Sequence, residues 1–516
     1  MKKTSIELFE LIHSLTMAEK KYFKMFSSMK GGDKNYLKLY DAMEKQHRYN
    51  EDAIRTAYSG QKFLRQLFAT KNRLYNNILR SLENYHSGAD VNLHSQLRKA
   101  GILLRKGLTA HALKLLKTTK AIAYQHEQWE LLMEILDMER IPYATLDTLK
   151  IPRLNEESKA VLQKLSNIND YQAIHHKMIQ RIQEAGPMRT KKELSRIEKL
   201  MQHPLLRNSK QASCTEAKAY YYEIWSLCYF FKRDFIKGLE TAKEQCDFLE
   251  THFHQLKDPE KKHLFALNIS TIFMGHLLSA KRHFDKKQKI DIRSGKYGER
   301  EDVLQKIRSY PIIPSLLKAE YWTHSYINEL NGYRMEGAFE KVFPALKAID
   351  ENHILLNQAA SVTKNNLYYN IAYMLFGAGS YNEALRWIIK IIDHPIELRK
   401  DTQALAHILY LLINYELHKD EQMLDSLERR TRHFLSTRHR IFKVEKALMH
   451  CLRQIMGKPV SRKERTLAFQ ELKTTLLKLM KNPMEKAAID EFDFLSWVES
   501  KIQNKTFAEV VREKAK

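Results

Sequence analysis

Glycine and proline are scarce, 16 and 11 among 516 residues, about 5% together where an average chain carries roughly 12%. A fold dense in tight turns, all-β or α/β, is excluded by that shortage, and a chain that is nearly all helix is expected. Cysteine is scarcer still. Cys214, Cys228, Cys246 and Cys451 form no CxxC pair, which argues against a zinc ribbon or a disulfide framework and suits small apolar core residues in a reducing, cytoplasmic compartment. Long apolar runs are missing too: the longest, Ile408 to Ile413 with Tyr415 just beyond, falls far short of the roughly 18 residues a bilayer span needs. Met1-Lys2-Lys3 opens like an export signal, but Glu7 and Glu10 interrupt the stretch behind it, so an amphipathic helix is expected there.

The usual signatures of catalysis are also lacking. Gly377-Ala-Gly379-Ser380 has neither the further glycines nor the lysine of a phosphate loop. The 22 histidines include no HExxH, and His252 and His254, two apart, diverge on a helix. No catalytic residue, metal ligand or cofactor site is picked out, and a non-enzymatic protein is expected.

What is present is a charged, apolar-rich chain, 28% charged and 44% hydrophobic with a net charge of +25. Breaks at Gly31-Gly32-Asp33, at the polar stretch His86 to Asp90, at Gly295 to Gly298, at Tyr310 to Pro314 and at Gly457-Lys-Pro459 divide it into an N-terminal helical section (1–89), two central lobes (90–300 and 301–456) and a C-terminal helical cap (457–516). Thr16, followed by Glu19, reads as the cap of a helix from Met17 to Ser28. A long helix is expected from Gln61 to Tyr85. Lys281 to Lys296 reads as a mobile basic connection. Phe492 to Trp497 reads as the inner face of a terminal capping helix.

One window carries more than helical periodicity. In Asn365 to Pro395, Tyr368, Ile371 and Ala372 line one side of a first helix, Leu375 follows, Gly379-Ser-Tyr381 makes the turn, and Ala384, Ile388 and Ile391 form the buried stripe of a second. This pattern resembles a tetratricopeptide repeat. Weaker windows occur around Tyr222, Trp225, Tyr229, Phe235 and Gly238, around Ala100, Leu103, Gly107, Ala112 and Leu116, and from Trp322 to Val342 with Ala338 as the small residue. Their spacing follows no multiple of the family's period of about 34 residues, so the repeats are degenerate. The resemblance implies an all-α, right-handed superhelical array of antiparallel helix pairs, an α-solenoid.

It also implies where a protein or peptide partner would lie, on the concave wall built from the first helix of each pair. Asn366, Tyr369, Asn370 and Tyr373 face that wall in the best window, and Tyr220, Glu223 and Phe230 in an earlier one. Tyrosine offers contact area at little entropic cost. A second partner class follows from charge. On the expected 61–85 helix, Lys62, Arg65, Gln66, Arg73, Asn76, Asn77, Arg80 and Asn84 share a face opposite Phe63, Leu67, Leu74, Ile78 and Leu82. Such donors suit nucleic-acid phosphates and base edges. Short helices before a long one, ahead of a repeat array, are similar in layout to peptide-sensing transcriptional regulators, which makes a nucleic-acid-binding head with a ligand-sensing array the alternative expectation. A second basic tract, Arg429 to Lys443, contains no acid and reads as an outer helix face.

Overall fold

In the computed structural model the described residues are 3–29, 35–46, 48–85, 89–185, 189–280, 298–311, 314–394, 399–418, 420–440, 442–456 and 460–515. Gly31 to Asp33, Lys281 to Lys296, Pro395, the Gly457-Lys-Pro459 break and the side chain of Lys62 lie outside them. Every regular element among the described residues is helical, and none is long and apolar enough to cross a membrane. Contacts divide the chain into two units, Met1–Leu162 and Gln163–Lys516.

In the first unit, five helices, Lys3–Ser14, Met17–Met29, Asn35–Glu44, Glu51–Ala57 and Leu67–Tyr85, enclose a core that includes Leu8, Ile12, Phe23, Tyr40, Leu74 and Ile78. Thr16 caps the second helix reciprocally: its hydroxyl accepts from the Glu19 amide at 3.3 Å, and the Glu19 carboxylate accepts from the Thr16 amide at 2.7 Å, which satisfies two orphan donors at once. The long helix starts later than its periodicity predicts. Lys62–Gln66 is a 3-10 turn and the α-helix begins at Leu67; the tighter turn still buries Phe63, so the apolar pattern alone does not distinguish the two. Farther on, Ala89–Arg105, Thr109–Gln125 and Trp129–Leu146 pack each against the next, with Ala100, Ala112 and Leu116 buried.

The second unit begins within helix Ile151–Ala185 and continues as successively packed helices. Thr215–Lys232 pairs with Phe235–Thr251, which packs on Pro259–Ala280, which in turn meets Ser315–Glu336. Ser361–Gly377 then pairs with Tyr381–Ile392. Ser361–Gly377 is buried almost all round, because Ser315–Glu336, Tyr381–Ile392 and Lys400–Glu416 surround it; a helix without a solvent face has no use for a polar stripe. At its end the two glycines of Gly377-Ala-Gly379 serve different needs. Gly379 takes a left-handed φ of +76° with open space about it, and Gly377 lies under the Phe339 ring. Gly238 makes a comparable close approach, to Phe273 of the following helix. Ala384 is fully buried, whereas Ala338 only opens the short turn that buries Phe339.

The last helices enter the same core. Phe492 and Phe507 cluster with Phe339, Tyr373 and Phe376, with Phe507 stacked on Phe339 at 5.5 Å. Trp497 is fully buried and donates to the Glu416 carboxylate at 2.7 Å. Helices from 301–456 and from 457–516 thus share one apolar interior. The Arg429 to Lys443 tract is divided. Arg429 and Arg432 pair with Asp425 and Glu428 on their own helix, and Arg440 is buried.

Candidate functional site

The second unit holds a cavity of about 320 Å³. Three helices supply its walls through residues at helical spacing: Phe265, Asn268, Ile269, Ile272 and His276 on Pro259–Ala280; His324, Ile327, Asn328, Asn331 and Met335 on Ser315–Glu336; Asn366, Tyr369 and Asn370 on Ser361–Gly377. Each series follows the i, i+3, i+4 rule, so one face of each helix is committed to the cavity. Phe230 and Arg233 close it from the end of Thr215–Lys232, and Arg399 with Asp401 from the start of Lys400–Glu416.

Of the seven residues expected on a partner-facing wall, four lie together on this cavity: Asn366, Tyr369, Asn370 and Phe230. The other three are engaged elsewhere in the second unit. Tyr373 is buried under the Arg334 guanidinium, 4.9 Å above its ring, and its hydroxyl accepts from the Asp493 amide at 3.2 Å. Tyr220 accepts from Gln172 at 3.3 Å and lies beneath the Lys262 ammonium. Glu223 is buried 3.0 Å from the His175 Nε2. Tyr373 stands one helical turn beyond Tyr369, where the wall has already become core.

The polar groups of the cavity are mostly satisfied. Asn328 donates to Asn268 at 3.0 Å and to the Thr271 hydroxyl at 2.7 Å, and Asn366 accepts from Thr402 at 3.0 Å. Arg399 grips Asp401 through two bonds of 2.9 and 2.7 Å. Burial opposes the Asp401 charge, but Arg399, aided by Arg440, more than offsets it and holds the carboxyl below its ordinary range. Arg399 itself takes a left-handed φ of +51°, and its amide donates to the Gln183 carbonyl at 2.6 Å. A non-glycine residue held in that region marks a place where the surroundings override local preference.

Two polar atoms are left over. The Tyr369 hydroxyl and the Asn370 Oδ1 are buried and have no hydrogen-bond partner among the described residues, and a buried polar group is costly unless something satisfies it. Arg334 donates one bond, to the Glu491 carbonyl at 3.1 Å. Among the described residues the Glu491 carboxyl makes neither a hydrogen bond nor an ion pair, and burial pushes its pKa up. Burial, with help from Arg233 and Arg334, holds His276 down to about 3, and its ring stacks on Phe235 at 4.2 Å. Burial likewise lowers His324. Both imidazoles are therefore neutral near pH 7.

The arginines, Glu491 and the Asn268 and Asn328 pair were not foreseen from the sequence. The ladder 324, 327, 328, 331, 335 is legible as a helix face, but nothing local shows that this face is turned toward Asn366 and Tyr369 rather than toward solvent.

In the first unit, Arg65, Gln66, Arg73, Asn76, Arg80 and Asn84 are exposed, Asn77 is half-buried, and Arg65, Arg73 and Arg80 make no ion pair among the described residues. Phe63, Leu67, Leu74 and Ile78 are buried opposite them. Lys71, on the same helix, is buried and bonded to Glu51 at 2.5 Å and to the Tyr49 hydroxyl at 2.8 Å. No cluster of three metal-ligating side chains occurs among the described residues, and all four cysteines are buried and unbridged. No family model, no curated protein and no solved structure matches this chain.

Proposed function

We propose that this protein is a non-enzymatic helical-repeat receptor, a right-handed α-solenoid similar to tetratricopeptide arrays, whose second unit binds a short peptide segment in its cavity. The single observation that carries the reading is the pair of unpartnered buried polar atoms on Tyr369 and Asn370. A peptide backbone offers both a donor and an acceptor, the complement those two atoms lack. The helix pairing and the buried Ala384 support the repeat architecture. A volume of about 320 Å³ lies at the lower end of the ~300–1,000 Å³ range of ligand sites, which favours a few residues over a folded domain.

Selection of phage-displayed random peptides on the full chain tests this. Selected peptides should slow amide exchange in Pro259–Ala280, Ser315–Glu336 and Ser361–Gly377, and should lose binding to Asn331→Trp, which fills the cavity. Absence of enrichment, or equal binding to Asn331→Trp, overturns the reading.

A second reading rests on the exposed, unpaired Arg65, Arg73 and Arg80: a nucleic-acid-binding head that reports ligand occupancy of the array. An electrophoretic shift at low salt that disappears in the triple Arg→Glu variant supports it; no shift at low salt rejects it.

A further inference from the structure

We infer that the ligand of the second-unit cavity is an amphipathic carboxylate, with its acid group on Arg334 and its apolar body against Phe230, Phe265 and Ile272. The inference rests on the cavity being the binding site proposed above, and it adds the chemical class of what enters.

The charges in the cavity are unequally spent. Arg399 and Asp401 cancel each other through a two-bond pair. Arg334 gives one bond to a carbonyl and keeps the rest of its guanidinium without a hydrogen bond. Arg233 also lines the cavity, with its guanidinium 5.6 Å over the Phe235 ring. The other carboxyl in the lining, on Glu491, makes no hydrogen bond to Arg334 among the described residues; Arg334 meets only the Glu491 carbonyl. A guanidinium with free parallel N–H groups in a partly dry site is matched best by a carboxylate, which accepts two bonds at once. A cationic ligand would meet the Arg334 guanidinium, a like charge, in a partly dry site. A neutral one would leave the guanidinium desolvated and unpaired.

The remaining features agree with an acid that also carries an N–H or is flanked by one. The Tyr369 hydroxyl can donate to a carboxylate oxygen, and Asn370 Oδ1 needs a donor. One part of the lining, Phe230, Phe231, Phe235, Phe265, Ile269 and Ile272, is aromatic and branched aliphatic, suited to an alkyl chain or a large apolar side chain. Two sources share this chemistry: a free organic acid, and the C-terminal residue of a peptide.

Calorimetric titration of the full chain separates them. The probes are decanoate against decanamide, and N-acetyl-Leu-Phe against its C-terminal amide. At least one acid should bind once per chain, roughly tenfold or more tighter than its amide, as expected when a charge-assisted bond is lost. Preference for decanoate assigns a free acid, and preference for the dipeptide a peptide terminus. Arg334→Gln should erase the difference between acid and amide. Because Arg334 also supports the Glu491 carbonyl, Tyr369→Phe, which removes one unpartnered oxygen, provides the second variant and should weaken the acid several-fold at unchanged thermal midpoint. The inference is overturned if amides bind as tightly as acids, if no acid binds, or if both variants hold the acid as the parent does. Selected peptides that bind in the cavity without any acid preference would leave the receptor reading standing and remove this one alone.

Discussion

The ring of Phe339 occupies the space that a side chain on Gly377 would need: a β-carbon there would lie 2.2 Å from Cδ1 of the ring. Phe339 is itself fully buried and stacked on Phe507, so it has nowhere to retreat. Gly377→Ala is expected to cost about 1–3 kcal/mol by overpacking. Gly379→Ala should cost about 1–2 kcal/mol for a different reason, the left-handed φ. Urea unfolding of both, alone and combined with Phe339→Leu, tells them apart: the smaller side chain rescues part of the first loss and none of the second.

In the first unit the Glu51–Lys71 pair is asymmetric, because Lys71 is buried and Glu51 partly exposed. Glu51→Gln removes the carboxylate that Lys71 meets at 2.5 Å but keeps the buried ammonium, and is expected to destabilise more than Lys71→Met, which removes that charge as well. Chemical denaturation of the two variants checks the order, and equal losses would contradict it.

Acid should weaken the second unit before it protonates most carboxylates. Burial, with Arg233 and Arg334, holds His276 at about 3, and burial with Arg430 holds His407 at about 4. The unfolded chain, with imidazoles near 6.5, binds protons that the folded chain refuses. Stability from these groups is complete above about 6.5 and falls as pH drops, toward about 4 for His407 and about 3 for His276. Glu491, raised by burial, acts with the opposite sign. Urea midpoints between pH 7 and 5 should fall, and should fall less in a His276→Phe, His407→Phe double variant.

Arg189 ties three parts of the second unit together, donating to Glu445 at 2.8 and 3.0 Å and to Glu485 at 3.4 Å, all buried. Arg189→Met leaves two carboxylates without their cation and is expected to cost about 3–5 kcal/mol. Adding Glu445→Gln and Glu485→Gln should recover part of that, read from thermal unfolding.

The exposed arginines of the first unit should behave otherwise. The triple Arg65, Arg73, Arg80 to Glu variant is expected to stay within about 0.5 kcal/mol of the parent, so that any change in nucleic-acid binding reports the surface and not the fold.

The helical class was legible because breakers are few, and the 366, 369, 370 face because its spacing is local. Phe63, Leu67, Leu74 and Ile78 were legible as a buried stripe for the same reason. The burial of Lys71 and Glu223 was not, since each meets a partner supplied elsewhere in the chain, and nothing local marks Arg440 as buried. Arg399 reaches the cavity through a left-handed backbone that no propensity predicts, and Arg334 is indistinguishable in sequence from a solvated arginine near a helix end. Sequence periodicity shows which residues share a face; long-range pairing decides what the face is for.

The stacking of Phe507 on Phe339 sets an order on biosynthesis. Residues 339, 373 and 376 leave the ribosome long before residue 507, and until that residue emerges their aromatic surface lacks its lid. The second unit can mature only after translation has passed its final helix, and the nascent chain carries a sticky hydrophobic face for that whole interval.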